Sequence, residues 1–144
     1  MVVTHEEKII GVLVAEIKKL SQCNLEDQNI LPKSYPANTA VCYMLSLGVH
    51  KDWRRRGIAS KLLNNLLTYL ENGASAGFEP TRCLFLHVLV ENENAINFYE
   101  RHSRLKSYYK IDDKYYDGFT YVYYLNGTIP PWSLRYELFH KKHL

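Results

Sequence analysis

Two groups of residues in this sequence have the types and spacing that chemistry needs. The first is a basic turn, His50-Lys51-Asp52-Trp53-Arg54-Arg55-Arg56-Gly57-Ile58-Ala59, set between a strand-like apolar run and a helix-like one. A turn so placed aims several backbone N–H groups and the positive end of a helix dipole at one point. Gly57 and the small Ala59 let a phosphate approach the backbone, and the guanidinium groups of Arg54, Arg55 and Arg56 add charge where a diphosphate would lie. A solvated turn ahead of an ordinary helix has the same composition, so composition alone leaves both readings open. The second group is His87 and Tyr43, each inside an apolar run. An imidazole exchanges protons near neutral pH, whereas a phenol with an ordinary pKa of about 10 is better suited to orient a water than to act as a base alone. Each also has a packing reading: a core histidine satisfied by a neighbour, and a tyrosine that fills space.

The elements carrying these residues follow from hydrophobic period. Residues 1–4 form a short β-like run, 5–8 a polar turn and 9–17 a second, mostly buried strand. Residues 18–39 are polar, contain Pro32 and Pro36, and read as a loop. Residues 40–49 form a strand. A helix opens near Gly57, places Leu62, Leu63, Leu66, Leu67 and Leu70 on one face, and is broken by Gly73, Gly77 and Pro80. Residues 83–90 are apolar on both alternations, as expected of a central strand covered by helices. Residues 91–100 are helical, with Asn92 or Asn94 as the cap. Residues 108–111 and 119–125 are the arms of an antiparallel hairpin, Pro130 and Pro131 end the sheet, and 132–144 form a short terminal helix at most. The order β-β-β-α-β-α-β-β defines an α/β sheet with helices on its faces.

The bulk properties narrow the class. A chain of 144 residues with 47% hydrophobic and 23% charged residues builds one globular domain. Its net charge of +3 is small, and residues 50–61 hold most of the dense positive charge. That pattern fits one anion site and argues against a nucleic-acid face. Cys23, Cys42 and Cys83 include no CxxC pair, and Cys42 and Cys83 lie in apolar runs, so they read as small buried residues in a reducing, cytosolic compartment. No run approaches the roughly 18 apolar residues of a membrane span, and no metal site is expected.

Position in the chain gives the basic turn its meaning. Arg54-x-x-Gly57-x-Ala59 directly after a strand resembles the coenzyme A pyrophosphate motif of the GNAT superfamily of N-acetyltransferases. The run Tyr43-Met44-Leu45-Ser46-Leu47-Gly48-Val49 resembles the superfamily's fourth strand. Leu86-His87-Val88-Leu89, followed by Asn92, Ala95 and Asn97-Phe98-Tyr99, is similar to its fifth strand and the helix after it. More narrowly, Val14-Ala15-Glu16-Ile17-Lys18, Leu45-Ser46-Leu47-Gly48-Val49, Ala95-Ile96-Asn97-Phe98-Tyr99-Glu100, Asp117-Gly118-Phe119-Thr120-Tyr121-Val122 and Pro130-Pro131-Trp132 resemble the NatF family of N-alpha-acetyltransferases.

The resemblance implies a GNAT fold, a mixed central sheet flanked by helices, over residues 1–129, with acetyl-CoA as cosubstrate and no metal. It implies that Tyr43 and His87 face each other across splayed strands and hold a water that carries the amine's proton away. Leu45, Ser46 and Leu47 pair their backbone with the pantetheine arm, and a backbone N–H there receives the oxyanion. Arg54, Arg55, Arg56, Gly57, Ile58 and Ala59 hold the diphosphate, and Asn92 bonds the pantetheine. Tyr99 stands near the sulfur as a candidate acid, and Tyr43, Tyr108 and Tyr109 grip the substrate. The implied partners are peptide or protein N-termini, Met-starting ones among them, with histone lysines and hence chromatin as a second target; a homodimer is among the states the resemblance allows. Acid–base arithmetic favours the α-amine: its pKa of about 7.7–8.0 against about 10.4 for lysine makes lysine roughly 3.5 kcal/mol costlier to deprotonate at neutral pH.

The sequence also departs from the family. The superfamily's usual first strand and first two helices have no counterpart ahead of residue 1, so the 144 residues alone are expected to hold coenzyme better than they acetylate peptide. The segment after Tyr99 is several residues short, which leaves the register of Tyr108 open. Residues 130–144 match the opening of the amphipathic tail by which the family lies on the cytosolic face of the Golgi membrane; a helix capping the sheet is the other reading. Alternatives to a peptide acetyltransferase are a module that binds acetyl-CoA or proteins without turnover, and a small-amine acetyltransferase.

Overall fold

A computed structural model of the protein describes residues 1–75, 77, 79–102, 108–113 and 117–134. Strands β1 (Val2–His5) and β2 (Lys8–Lys19) form a hairpin whose turn residues, Glu6 and Glu7, both have positive φ (48° and 65°). That is the backbone a two-residue hairpin turn demands, although glycine or asparagine is its usual occupant. Strand β3 (Ala40–Val49), helix α1 (Ile58–Ser75), strand β4 (Cys83–Leu89), helix α2 (Glu93–Arg101) and strands β5 (Tyr108–Asp113) and β6 (Gly118–Tyr124) follow. The six strands form one sheet in the order β1-β2-β3-β4-β6-β5. Only β3 and β4 run parallel, joined by α1 as the crossover; every other pair is antiparallel. The expected element order stands. Gly73 does not end α1, which runs on through it to Ser75. A Cβ there would meet nothing within 4 Å, so the helix carries the glycine at its propensity cost alone.

The sheet is covered differently on its two faces, and here the structure corrects the sequence reading. Both α-helices lie on one face. There Leu62, Leu63, Leu66, Leu67 and Leu70 of α1 and Tyr99 of α2 pack with Leu13, Cys42, Met44, Leu84, Leu86, Val88 and Tyr121. Each buried leucine contributes about 1.5–3 kcal/mol of transfer free energy, enough to hold the helix without strong intrinsic propensity. The other face is covered by the segment expected to be a loop. Its two 3₁₀ turns, Leu20–Gln22 and Asp27–Ile30, bury Leu20, Cys23, Ile30 and Leu31 against Val41, Cys83, Phe85 and Val122. The Tyr124 hydroxyl ties the segment down by donating to the Ile30 carbonyl. β4 is therefore apolar on both alternations because helices cover one side and an irregular but packed segment covers the other.

Strands β3 and β4 pair only at Cys42↔Leu84 and Tyr43↔Phe85. Beyond Tyr43, β3 continues to Val49 on β2 alone, and beyond Phe85, β4 continues to Leu89 on β6 alone. A notch therefore opens in the middle of the sheet. A β-bulge starts it: the register shifts between Val14 and Ala15, which pair with Ser46 and Met44, and Leu45 has no opposite residue. The extra residue bends β3 and shifts its alternation by one, so that Leu47 rather than Ser46 packs on the helix side.

Candidate active site

The basic turn forms one wall of a cleft of about 650 Å³ between the end of β3, the start of α1 and helix α2. Leu47, Gly48, Val49, Arg54, Arg55, Gly57, Ile58, Ala59, Asn92 and Tyr99 all line it. Arg55 and Gly57 sit in the left-handed region, at φ 62° and 78°. Such alternation turns successive N–H groups toward one side of the chain. The first helical bond of α1 runs from the Lys61 N–H to the Gly57 carbonyl at 3.0 Å, so the N–H groups of Ile58, Ala59 and Ser60 precede any intrahelical partner. A Cβ on Gly57 would meet nothing within 4 Å, which means the glycine face is open to an approaching group. Open backbone donors, a helix dipole and an exposed Arg55 fit the diphosphate of a coenzyme.

The three arginines do different work. The Arg54 Nε–H donates to the Val49 carbonyl at 3.1 Å and pins the turn to the end of β3. Arg56 stacks its guanidinium 4.6 Å from the centre of the Trp53 ring and does not line the cleft. Arg55 is the side chain whose backbone strain, of order 1–3 kcal/mol for a non-glycine residue, marks a functional turn. Asn92 serves as the N-cap of α2, its Oδ1 accepting from the Ala95 N–H at 3.2 Å. Its amide nitrogen can still donate into the cleft. Leu45 and Ser46 are exposed on β3 outside the cleft lining, so only their backbone is placed for the pantetheine role.

On the opposite face, Tyr43, His87, Val88, Leu89, Phe119 and Asn24 line a smaller recess of about 330 Å³ beside the notch. The Tyr43 hydroxyl lies 3.1 Å from His87 Nδ1. The pair is in direct hydrogen-bond contact. His87 Nε2 lies 2.9 Å from Asp27 Oδ1, a carboxylate whose side chain is 8% exposed. Asp27 was missed in the sequence. An ionised carboxylate only accepts, so Nε2 carries the proton, Nδ1 is the acceptor in the neutral ring, and the Tyr43 hydroxyl donates to it. The Asp27–His87–Tyr43 chain thus points a tyrosine oxygen at the recess with a base behind it and an anion behind the base.

Tyr99 is buried and lines the cleft, with its ring against Tyr121 at 5.6 Å. Burial pushes its hydroxyl up to about 12. The hydroxyl is thereby held as a neutral phenol, able to donate a hydrogen bond into the cleft. Desolvation likewise raises the Cys42 thiol to about 12 and the Cys83 thiol well above its ordinary value, which keeps both protonated and un-nucleophilic. The backbones of Tyr108 and Tyr109 pair with Tyr123 and Val122; their side chains, like residues 103–107 and 135–144, lie outside the described residues.

A mixed sheet split between two strands, with an anion cleft on one face and a proton relay on the other, is the layout of an acyl-CoA-dependent N-acetyltransferase. The family model described as Acetyltransferase (GNAT) family matches residues 1–103, and the chain belongs to that family. Within it, the chain is 43% identical over 136 residues to N-alpha-acetyltransferase 60 of Danio rerio, covering 91% of this chain and 55% of that protein. It is also similar to the crystal structure of Arabidopsis thaliana NAA60 in complex with a bisubstrate analogue, with a TM-score of 0.62, 31% identity, and coverage of 86% of this chain and 69% of that one. The acetyl-CoA complex of the same plant protein aligns with a TM-score of 0.58 and 30% identity, over 83% and 68% of the two chains. This chain spans little more than half the length of the curated relatives it matches.

Proposed function

We propose that the protein is an acetyl-CoA-dependent N-alpha-acetyltransferase acting on peptide and protein N-termini, as its relatives are named. The observation that carries this reading is the notch: the cleft and the Asp27–His87–Tyr43 chain lie on opposite faces of the sheet, each lined by residues at or beyond the point where β3 and β4 stop pairing. The coenzyme supplies an acetyl group activated as a thioester. On this reading the Gly57 turn and Arg55 hold its diphosphate, and Asn92 and the β3 backbone guide its arm toward the notch. A substrate amine enters from the recess. Tyr43 accepts one proton from the substrate ammonium while passing its own to His87 Nδ1, and Asp27 stabilises the imidazolium so formed. The freed amine can then attack the thioester carbonyl, forming the C–N bond as the C–S bond breaks. The second amine proton leaves with the thiol, whose sulfur Tyr99 steadies by a hydrogen bond. A relay of this modest strength favours α-amines over lysines, so N-termini are the main substrates and histone lysines a minor class.

A single-turnover assay with labelled acetyl-CoA tests the proposal. A Met-starting peptide is expected to gain one acetyl on its α-amine, ahead of internal lysines and polyamines. Coenzyme binding with no acetyl transfer to any amine would instead make the domain a binding module. We also read the chain from residue 130 onward as the start of a tail holding the protein to the cytosolic face of the Golgi membrane; Ile129 and Trp132, 58% and 70% exposed, support an apolar surface there. Imaging of the tagged full protein with and without that tail checks it, since a Golgi signal that survives the deletion would refute the assignment.

A further inference from the structure

Strand β2 sends a cation to the back of the proton relay. Glu16 pairs directly opposite Tyr43 in the β2–β3 ladder, and Lys18 lies two residues further on. Both side chains therefore leave β2 on the face that carries Tyr43. The Lys18 ammonium stands 5.9 Å from the centre of the Tyr43 ring. That ring is in turn 5.3 Å from the His87 ring, centre to centre. Lys18 is half-buried, and its charge is felt at the Cys23 thiol of the covering segment, as are those of Asp27 and Glu16. The transfer of a proton along Tyr43, His87 and Asp27 does not itself use Lys18.

The relay has a requirement that this charge meets. Tyr43 can pass its proton on only while His87 Nδ1 is unprotonated. A carboxylate 2.9 Å from Nε2 favours the imidazolium, so Asp27 acting alone would draw a solvent proton onto the base before substrate arrived. A cation one ring away disfavours that second proton. Among the described residues, the other ionisable groups packed around the pair do not supply the same effect. Glu16 has the opposite sign and is exposed, where solvent screens it. Burial is the largest influence on the Cys23 thiol and raises it, which keeps it neutral. On β6, Thr120 stands opposite His87, with Ile111 of β5 beyond it, and the Tyr124 hydroxyl is given to the Ile30 carbonyl. Arg82 stacks on the Tyr35 ring at 5.6 Å and donates to the Asn126 carbonyl.

We propose that Lys18 is a positioning residue that acts by its charge: it offsets Asp27, so that His87 rests neutral and able to accept a proton at neutral pH. The proposal rests on the transferase reading of the site, and the test separates the two. The titration midpoint of His87 is read from its Cε1–H NMR signal, assigned by its loss in His87→Gln, in protein without coenzyme. Wild type is compared with Lys18→Arg, Lys18→Met and Lys18→Glu. A unit charge roughly 10 Å away, at an effective dielectric constant near 20, moves a midpoint by about one pH unit. With partial exposure of the lysine, Lys18→Met is expected to titrate about 0.5–1 unit above wild type. Lys18→Glu should titrate higher still, and Lys18→Arg with wild type. A midpoint that stays in place in Lys18→Met and Lys18→Glu, or that falls, would overturn the proposal. The acid limb of kcat/KM for a Met-starting peptide should move by the same amount, while the alkaline plateau stays within about 3-fold of wild type. A lower plateau with an unmoved limb would make Lys18 a packing partner of Tyr43 and nothing more. Shifted midpoints in a protein that acetylates no amine would keep the coupling of Lys18 to His87 and overturn the transferase reading. Thermal melting of the variants within a few degrees of wild type shows that the fold is intact.

Discussion

Replacing Asp27 by asparagine probes the proton relay most sharply, because it removes one charge and almost no volume. In the structure the carboxylate accepts from His87 Nε2 at 2.9 Å and is nearly sealed from water. A buried hydrogen bond to a charged group contributes about 1.5–3 kcal/mol. Here that contribution grows when His87 becomes an imidazolium, which is when the Tyr43 oxygen has taken the amine's proton. Losing it should lower kcat by about 10- to 100-fold at 1.36 kcal/mol per decade. Coenzyme affinity should hold, because the diphosphate cradle is on the other face of the sheet. The assay is steady-state acetylation of a Met-starting peptide, with coenzyme affinity measured separately. A merely structural Asp27 could also slow the enzyme, so the decisive comparison is with His87→Gln. Because Asp27 acts through His87, the double variant should be no more than about 3-fold slower than His87→Gln alone, whereas independent effects would multiply. Full multiplication, or a D27N enzyme within 2-fold of wild type, would refute the relay.

Other consequences follow from the same geometry. Gly57→Ala meets no atom but puts an L-residue at φ 78°, at about 1–2 kcal/mol; a free turn that relaxes out of that strain must take it up again on binding, so coenzyme affinity should fall about 5- to 30-fold by titration while the melting temperature moves little. Gly118→Ala drives a Cβ into the Val88 carbonyl and the backbone of Leu89, so the β4–β6 ladder beside the recess should open, with lower thermal stability and loss of peptide acetylation together. Tyr99→Phe keeps the ring packed on Tyr121 and removes one donor; kcat should fall by about 10-fold, the worth of one hydrogen bond of roughly 1.5 kcal/mol, with coenzyme affinity unchanged.

The cradle was legible because its signal is local: a strand, a turn with Gly57, and a helix with five leucines on one face lie in consecutive residues, and each element's period names the next. The Tyr43–His87 pair was legible only through family resemblance, since 44 residues separate them and nothing in either strand states the parallel register that joins them. Asp27 was hidden more deeply. It sits in irregular 3₁₀ turns inside a stretch whose polarity and prolines suggest a solvated loop. One sign was present: Leu20, Cys23, Ile30 and Leu31 recur at near-helical intervals, and Asp27 falls in the same phase. An acidic residue on the apolar side of a packed segment needs a buried partner, and His87 Nε2 is that partner. The bulge at Leu45, which opens the notch, leaves no mark in composition, because a one-residue register shift between β2 and β3 changes no residue type.

Catalysis as proposed requires the diphosphate cradle to deliver a thioester through the gap between β3 and β4 to the Tyr43 hydroxyl. A crystal structure of the protein with a coenzyme A–peptide conjugate, its sulfur linked to a Met-starting peptide through the α-amine, measures that directly. The diphosphate should lie against the N–H groups of residues 57–60, and the α-nitrogen should lie within about 3.5 Å of the Tyr43 oxygen or one bridging water from it, the range of a near-attack geometry. A conjugate whose nitrogen stays on the helix face, or whose diphosphate avoids the Gly57 turn, would contradict it.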